Sequence, residues 1–303
     1  MPARFRAYLL MTFVVAVWGT TFVIVKAALA DSTPGAYNLM RMLFAILILA
    51  IAYRGSLHGL SRRQILGGAL VGLFLALGYQ FQTIGLSKTT PSKSAFITGL
   101  VVVLVPLLSA LPGLRPRNAR PPRWNAWLGA IAAFLGILFL TTQAGQGLLP
   151  DFRSINLGDI LTLGCAFGFA LHCIAISHNT QTGFKALAQL QVGFSAVFLA
   201  ASLLLVEKPH VHFTPRLFLA LAISAVLATA LAFSVQSWAQ TILPPTHTAL
   251  IMTLEPVFAW ITSYLFIGEH LGPRQFSGAL LILAGIALTE FIPQTHLPTA
   301  HEA

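Results

Sequence analysis

The chain alternates between long apolar runs and short polar connections. Ten of the runs are each long enough to cross a hydrocarbon layer of about 30 Å as a helix. They are continuously apolar and lack the two-residue alternation of membrane β-strands, so we expect an all-α integral membrane protein with ten transmembrane helices. The predicted helices are Tyr8–Leu29, Pro34–Tyr53, Gln64–Leu86, Pro91–Leu111, Trp124–Thr142, Leu157–Ser177, Phe184–Val206, Pro215–Ala239, Pro244–Ile267 and Gln275–Phe291.

The second half of the sequence repeats the first. Residues 79–100 align without a gap on residues 233–254, and Gly129–Ile137 matches Gly278–Ile286. Each copy holds five predicted helices, an odd number, so the second copy crosses the membrane in the opposite sense. Such inverted repeats are typical of secondary transporters, whose substrate site lies where the copies meet. The predicted units are a first repeat (1–142), a linker (143–156), a second repeat (157–292) and a polar tail (293–303).

Composition and charge agree with a membrane location. Hydrophobic residues make up 56% of the 303 residues and charged residues only 9%, whereas soluble domains carry about 25% charged residues. The net charge of +10 comes mostly from Lys and Arg in short loops, where they set topology, and we expect no nucleic-acid partner. With a cytoplasmic N-terminus, ten basic loop residues lie inside and six outside. We therefore predict a multi-pass protein of the inner (plasma) membrane with both termini cytoplasmic.

The N-terminus also resembles a cleavable signal peptide. Arg4 and Arg6 precede an apolar run that ends in Ala28-Leu29-Ala30, which imitates an A-x-A cleavage site. The run is longer than the usual apolar core of a signal peptide and contains Trp18, Gly19 and Lys26. We expect a retained first helix.

Sequence motifs of enzymes are absent. The chain has no G-x-x-x-x-G-K-[ST], H-E-x-x-H or G-x-S-x-G motif. Cys165 and Cys173 lie eight residues apart in one predicted helix, too far apart to bond each other. We expect no catalytic residue, metal or cofactor. A membrane-embedded enzyme would need paired acid and base groups, and a receptor would need a signalling domain; these remain the alternatives of another class.

Three charged residues lie three or more residues from either end of an apolar run, and a charge costs about 2.5–3.5 kcal/mol at a helix centre. Lys26 and Arg41 are within reach of segment ends, so each can extend to the interface or pair with a carboxylate. Glu255 lies near the middle of its segment and precedes Pro256. Glu255 suits proton coupling or the binding of a cationic substrate group, with a structural ion pair to Lys26 or Arg41 as the alternative.

Polar side chains form matching stripes in the two copies. Tyr79, Gln82 and Thr83 share one helix face, and Gln236, Ser237 and Gln240 share the equivalent face. Such faces turn towards a cavity or towards neighbouring helices as hydrogen-bonding contacts. His172 and Gln191 are weaker candidates of the same type. The predicted cavity residues are Trp18, Asn38, Tyr79, Gln82, Gln236, Trp238 and Glu255.

Small residues and prolines suggest further roles. Gly129, Gly136, Gly278 and Gly285 make one side of the fifth and tenth helices flat enough for tight packing, as scaffold or as a homodimer contact. Pro106 and Pro256 are expected to kink the fourth and ninth helices and so to give a gate two shapes.

The ordered motifs resemble the EamA-type proteins of the drug/metabolite transporter superfamily over nearly the whole chain. The matching stretches are Trp18–Phe22 leading to Lys26, Arg41–Ala45, Ser94–Leu100 running to Val105-Pro106, Leu254–Phe258, Gly268–Leu271 and Gly278–Gly285. The resemblance implies ten helices in two inverted repeats, lipid bilayer surroundings, and export of small metabolites, amino-acid-like compounds or drugs by alternating access. Nucleotide-sugar and sugar-phosphate exchangers are relatives of the same type, but they need several cavity cations to meet a phosphate.

The first copy departs from the family pattern. Leu111–Arg115 replaces the Gly-Glu-Arg-Leu-like ending of the fourth helix, and Val101 stands where the second copy has Glu255. Any proton coupling would therefore depend on one half of the protein.

Overall fold

The computed structural model describes residues 2–115, 124–144, 150–151, 155–243, 248 and 251–291. The described helices of the first half are α1 (Ala3–Ala28), α2 (Pro34–Ala52), α3 (Arg62–Lys88), α4 (Pro91–Thr98), α5 (Val101–Leu108) and α6 (Trp124–Thr141). Those of the second half are α7 (Leu157–His178), α8 (Phe184–Val206), α9 (Pro215–Ala225), α10 (Ala232–Ala239), α11 (Glu255–Ile267) and α12 (Pro273–Phe291). A π-helical turn, Val226–Leu231, joins α9 to α10, and the two-residue strands Gln143–Ala144 and Pro150–Asp151 pair antiparallel.

The described helices are those of a multi-pass membrane protein. Seven spans are long and apolar enough to cross a membrane, with α4 and α5 counted as one span and α9 to α10 as another. Shorter apolar helices cover Trp127–Thr141, Glu255–Ile267 and Pro273–Leu288. Residues 244–247 and 249–250, at the start of the ninth predicted segment, lie outside the described residues. A total of ten crossings therefore stays a prediction.

Local sequence explains where several helices begin. Thr-Pro pairs start α2, α4 and α9, since proline suits the first turn, and the threonine side chain caps α4 and α9. The Thr90 hydroxyl accepts from the backbone N–H of Lys93, and the Thr214 hydroxyl accepts from that of Leu217. Ser61 with Gln64 and Asn156 with Asp159 form capping boxes at the starts of α3 and α7.

Two helix breaks occupy equivalent positions in the repeat. The chain leaves regular helix at Gly99–Leu100, between α4 and α5, and again at Thr253–Leu254, just before α11. The sequence alignment makes these two dipeptides equivalent. Pro106, expected to kink this region, lies within α5, and Pro256 lies in the first turn of α11. At the first break Gly99 packs against the Pro256 ring, where an added Cβ would be 2.9 Å from Cγ.

The glycine stripes of α6 and α12 pack against each other within the molecule. A Cβ on Gly136 would lie 2.6 Å from the carbonyl oxygen of Gly278, and one on Gly285 would lie 2.5 Å from that of Gly129. Both glycine pairs are therefore required for the close approach of the two helices. The stripes act as internal scaffold, which leaves them unable to serve as a dimer contact.

Candidate functional site

A cavity lies between the two halves, at the level of the two helix breaks. Its wall includes Gly99 and Val101 from the first break and Met252 and Glu255 from the second, together with parts of α1, α3, α7 and α10. The same wall holds six of the predicted site residues. These are Trp18, Arg41, Tyr79, Gln82, Gln236 and Glu255.

Glu255 begins α11 and presents a carboxylate to this cavity. The residue is 7% exposed, and its carboxylate has no hydrogen-bond or ion-pair partner among the described residues. Gly19 permits the close packing of α1 on this turn, since a Cβ there would lie 2.7 Å from the Glu255 carbonyl oxygen. A buried carboxylate without a partner can gain stability by taking up a proton or a cationic group.

Arg41 supplies the positive charge of the described cavity wall. It is 3% exposed, so it does not extend to the membrane interface. Its Nε donates to the Thr229 hydroxyl at 2.7 Å, and its Nη2 donates to the Tyr79 hydroxyl at 2.8 Å and to the Ala228 carbonyl at 3.3 Å. The guanidinium carbon lies 4.1 Å from the centre of the Tyr79 ring. These contacts fix the guanidinium in one orientation.

Aromatic rings form much of the rest of the wall. Tyr79 meets Phe169 edge-on, with ring centroids 5.2 Å apart, and Phe233 at 6.1 Å. Trp18 and His172 also pack on Phe233, and the Trp18 indole donates to the Ala228 carbonyl at 2.9 Å. Such a wall suits the apolar part of a small molecule, with the charged groups fixing its orientation.

The remaining polar groups connect the wall to its supporting helices. The Gln236 amide donates to the Cys173 sulfur at 3.8 Å, and its carbonyl oxygen is buried without a partner among the described residues. His172 bonds Gln191 at 2.7 Å, and Gln191 donates to Ser237 at 3.1 Å. Cys173 lines the cavity, whereas Cys165 is fully buried beside it.

Three predicted residues lie outside the wall. Asn38 donates to the Tyr79 carbonyl at 3.1 Å and accepts from Thr83 at 3.0 Å, so it ties α2 to α3. Trp238, on α10, packs against the apolar core. The Lys26 ammonium donates to the carbonyls of Leu86, Ser87 and Thr89 at 2.7–3.1 Å. Lys26 therefore caps the C-terminus of α3 and makes no ion pair with Glu255.

Comparison with known proteins assigns the chain to a family. A profile of the EamA-like transporter family matches residues 5–142 and 156–291. The chain belongs to the EamA-like transporter family. The resemblance predicted from the sequence motifs is confirmed, and members of this family are transporters rather than enzymes.

The relatives of this EamA-family protein are also named as transporters. An uncharacterized transporter of Archaeoglobus fulgidus is 32% identical over 94% of this chain and 86% of its own length. The uncharacterized transporter YvbV of Bacillus subtilis is 27% identical over 93% of this chain and 91% of its own. A solved crystal structure with 18% identity superposes with a TM-score of 0.67, covering 95% of this chain and 98% of that one, and shows the same fold.

The sequence missed part of the EamA-family cavity. Phe169 and Cys173 line it with His172, and their spacing of three and four residues places them on one face of α7. The sequence shows that these residues share a helix face, but an apolar face can contact either lipid or a cavity, and the sequence does not distinguish the two. Phe233 is equivalent to Tyr79 in the repeat alignment, and this equivalence was the one indication in the sequence that Phe233 lines the cavity.

Proposed function

We propose that this protein is a secondary transporter that exports small metabolites, amino-acid-like compounds or drugs across the inner membrane by alternating access. It would consist of ten helices in two inverted five-helix repeats, residues 1–142 and 157–292, with linker 143–156, tail 293–303 and both termini cytoplasmic. The family match over both halves and the named transporter relatives support this proposal. The surrounding lipid bilayer and a small-molecule substrate follow from the family.

One observation carries the proposal: the cavity lies where two helices break at equivalent positions. In transporters built from inverted repeats, interrupted helices at matching positions supply the substrate site near the bilayer midplane. Here Gly99 and Val101 on one side and Met252 and Glu255 on the other border the same cavity. A rocking motion of one half against the other would expose this cavity first at one face of the membrane and then at the other.

Glu255 is the proposed coupling residue. It is the acidic side chain of the described cavity wall, and none of the described residues neutralises it. Lys26 and Arg41, its proposed ion-pair partners, bond to other groups. Export driven by proton uptake would use protonation of this carboxylate to change the relative stability of the two conformations.

Phosphorylated substrates fit the cavity less well. In the described wall Arg41 is the one Lys or Arg side chain, whereas binding a phosphate ester requires several cationic groups. A homodimer is not needed for this mechanism, because the cavity is built within one chain.

The test uses the full chain purified and reconstituted in proteoliposomes. A metabolite comparison of the medium with and without overexpression first selects the substrates, and uptake or release of these is then measured with and without a pH gradient. We expect pH-dependent transport in the wild type and pH-independent or lost transport in Glu255→Gln. Glu207→Gln is the matched control for the pH dependence: it removes a carboxylate that lies outside the cavity and bonds the start of α2, so its transport rate can change but its pH dependence should remain that of the wild type.

Two results would count against the proposal in different ways. If the pH dependence of transport is the same in Glu255→Gln as in the wild type, this residue does not couple transport to protons. Failure of the wild type to move any compound of the selected panel would argue against transport itself.

A further inference from the structure

Arg41 is a buried cation whose charge none of the described residues neutralises. The described ion pairs join Lys93 to Asp159 and Arg216 to Asp31, and neither involves Arg41. Its three bonds go to two hydroxyls and one backbone carbonyl, which are neutral groups. A buried cation without a counter-ion is costly, so a protein retains one where an anion binds or where a function needs the charge.

The guanidinium has donors left for a ligand. Of its five N–H groups, the one on Nε and the two on Nη2 are directed at Thr229, Tyr79 and Ala228. The Nη1 nitrogen has no acceptor among the described residues, and Arg41 forms part of the cavity wall. The unused N–H groups are therefore available to a molecule in the cavity.

The π-helical turn holds the guanidinium in place. Both Thr229 and Ala228 belong to this turn, and the Thr229 hydroxyl itself donates to the Ser224 carbonyl at 2.7 Å. The Ala228 carbonyl accepts from Trp18 as well as from Arg41, so it faces the cavity side of the helix. π-Helical turns within α-helices are frequently found at functional sites. The equivalent residues of the first half, 72–77, lie in the regular helix α3.

We infer that Arg41 binds a carboxylate group of the transported molecule and that Thr229 positions its guanidinium for this contact. The inference rests on the proposed transport function and adds the chemistry of the substrate. A carboxylate brings one negative charge to one cation, and its planar shape matches the arginine fork. The unpaired carbonyl of Gln236 and the carboxylate of Glu255 lie elsewhere in the same wall, where they would accept N–H groups of the same molecule.

Binding can be measured without any transport assay, because the chain holds only two cysteines. In a Cys165→Ser background, Cys173 is the single thiol and it lines the cavity. We would measure the rate at which N-ethylmaleimide labels Cys173 in the purified protein. The probes are acetate, 3-phenylpropionate, its neutral amide 3-phenylpropionamide and 2-phenylethyl phosphate; the phenyl group is chosen for the aromatic wall.

We expect 3-phenylpropionate to slow labelling at millimolar concentrations and its amide to have little effect. Arg41→Gln should weaken this protection about tenfold or more, as should Arg41→Lys, which keeps the charge but lacks the fork. Thr229→Val should weaken protection by about three- to tenfold, whereas Thr229→Ser, which retains the hydroxyl, should remain within about twofold of wild type. Weakened protection in Thr229→Val but not in Thr229→Ser would therefore show that the hydroxyl positions the Arg41 guanidinium, whereas misfolding caused by changing this residue should weaken protection in both variants.

Protection that survives unchanged in Arg41→Gln, or no protection by either carboxylate in the wild type, would overturn the inference. Equal protection by the phosphate and the carboxylate, lost in Arg41→Gln, would keep the anion site but overturn its assignment to carboxylates. Transport of the selected substrates by the wild type is measured in parallel in proteoliposomes. Transport without Arg41-dependent protection would overturn this inference alone, and protection without transport would overturn the proposed function alone.

Discussion

The two ends of the helix bundle are held together by different chemistry. We call one the acidic end, formed by residues 29–33, 88–92, 156–159, 207–214 and 268–272. Here each described carboxylate bonds across the two halves. The pairs are Asp31 with Arg216, Lys93 with Asp159, Glu207 with the N–H groups of Gly35 and Ala36, and Glu269 with Ser92.

The opposite end, which we call the basic end, comprises residues 53–61, 109–115 and 178–184. Its described loops and flanking helix turns carry basic residues such as Arg54, Arg115 and Lys185 and no described carboxylate side chain. Among the described residues no ion pair joins the halves there: Ser56 bonds Gln189, His178 bonds the Leu114 carbonyl, and the Lys185 ammonium lies 5.9 Å from the centre of the Tyr53 ring. Charge-assisted bonds therefore join the halves at the acidic end, and we expect them to keep that end closed, because opening it would require breaking them.

The buried Lys93–Asp159 pair should contribute most to this closure. Its atoms are 2.9 Å apart, and its side chains are 11% and 1% exposed. Asp159→Asn keeps an oxygen for the Thr89 hydroxyl but leaves the Lys93 charge unpaired, so we expect a loss of about 3–5 kcal/mol in the free energy of unfolding. Unfolding titrations of the purified protein in bicelles would measure it.

The control for this variant replaces both partners, as Lys93→Met with Asp159→Leu. Because a buried ion pair can often be exchanged for apolar residues at little cost, the double variant should recover most of the loss. A double variant as unstable as Asp159→Asn would mean that the loss in Asp159→Asn does not come from the unpaired Lys93 charge.

Glu269 offers a test of opening rather than of stability. Its carboxylate accepts from the Ser92 N–H at 3.2 Å, from the Ser92 hydroxyl at 2.8 Å and from the Ser263 hydroxyl. Glu269→Gln replaces charge-assisted bonds with neutral ones and should weaken closure by about 1 kcal/mol, which raises the open population about fivefold. In the Cys165→Ser background, labelling of Cys173 by a membrane-impermeant thiol reagent should accelerate to that extent.

The side of labelling also tests the proposed orientation. With both termini cytoplasmic, the acidic end faces the outside, so intact cells should show the acceleration. Acceleration confined to inside-out vesicles would reverse the orientation, and equal labelling of wild type and variant would show that Glu269 does not hold the end closed.

Much of the helical layout could be predicted from the sequence, since apolar length and Thr-Pro starts act locally. The prediction Phe184–Val206 coincides with α8, and Pro34–Tyr53 exceeds α2 by one residue. The π turn escaped prediction because its apolar sequence, VLATAL, does not specify which backbone carbonyl each N–H meets. The close contact of Gly99 with Pro256 was not predicted either, because the two residues are distant in the chain.

Part of the cavity could also be predicted from the sequence. Polar stripes and intramembrane charges indicated Tyr79, Gln236 and Glu255, because burying them in lipid is unfavourable whatever the fold. Lys26 and Arg41 looked alike in sequence, since both lie near helix ends. Their partners separate them: carbonyls at the end of α3 bind Lys26, whereas the π turn holds Arg41 in the cavity wall. Such tertiary contacts leave no local pattern.

The stabilisation that Asp31 provides at the acidic end depends on pH. Hydrogen bonds from Arg216 at 2.7 and 2.8 Å and from Thr214 at 2.7 Å lower the pKa of Asp31 to about 2. An unfolded aspartate has a pKa of about 3.9. The stabilisation is therefore fully present above about pH 4 and is lost as the pH falls towards about 2.

Asp31→Asn cannot titrate, so wild type should lose more thermal stability than this variant between about pH 5 and pH 3. Other carboxylates titrate in both proteins, and the difference between the two curves isolates Asp31. Since half of the Arg216 side chain is exposed, at 52%, we expect a modest difference that shrinks in high salt. Parallel curves would mean that Asp31 contributes nothing to closure of the acidic end.

Ser56→Ala at the basic end should have the smallest effect. It removes the hydroxyl that bonds the Gln189 carbonyl oxygen, while the Gln189 amide keeps its bond to the Leu49 carbonyl at 3.0 Å. A neutral hydrogen bond near the surface contributes about 0.5–1.5 kcal/mol, and water can replace the lost partner. Unfolding free energy in bicelles should therefore fall by about 1 kcal/mol or less, well below the loss in Asp159→Asn. An equal loss in the two variants would show that charge does not distinguish the ends, and closure would then have to be attributed to helix packing, which both ends share.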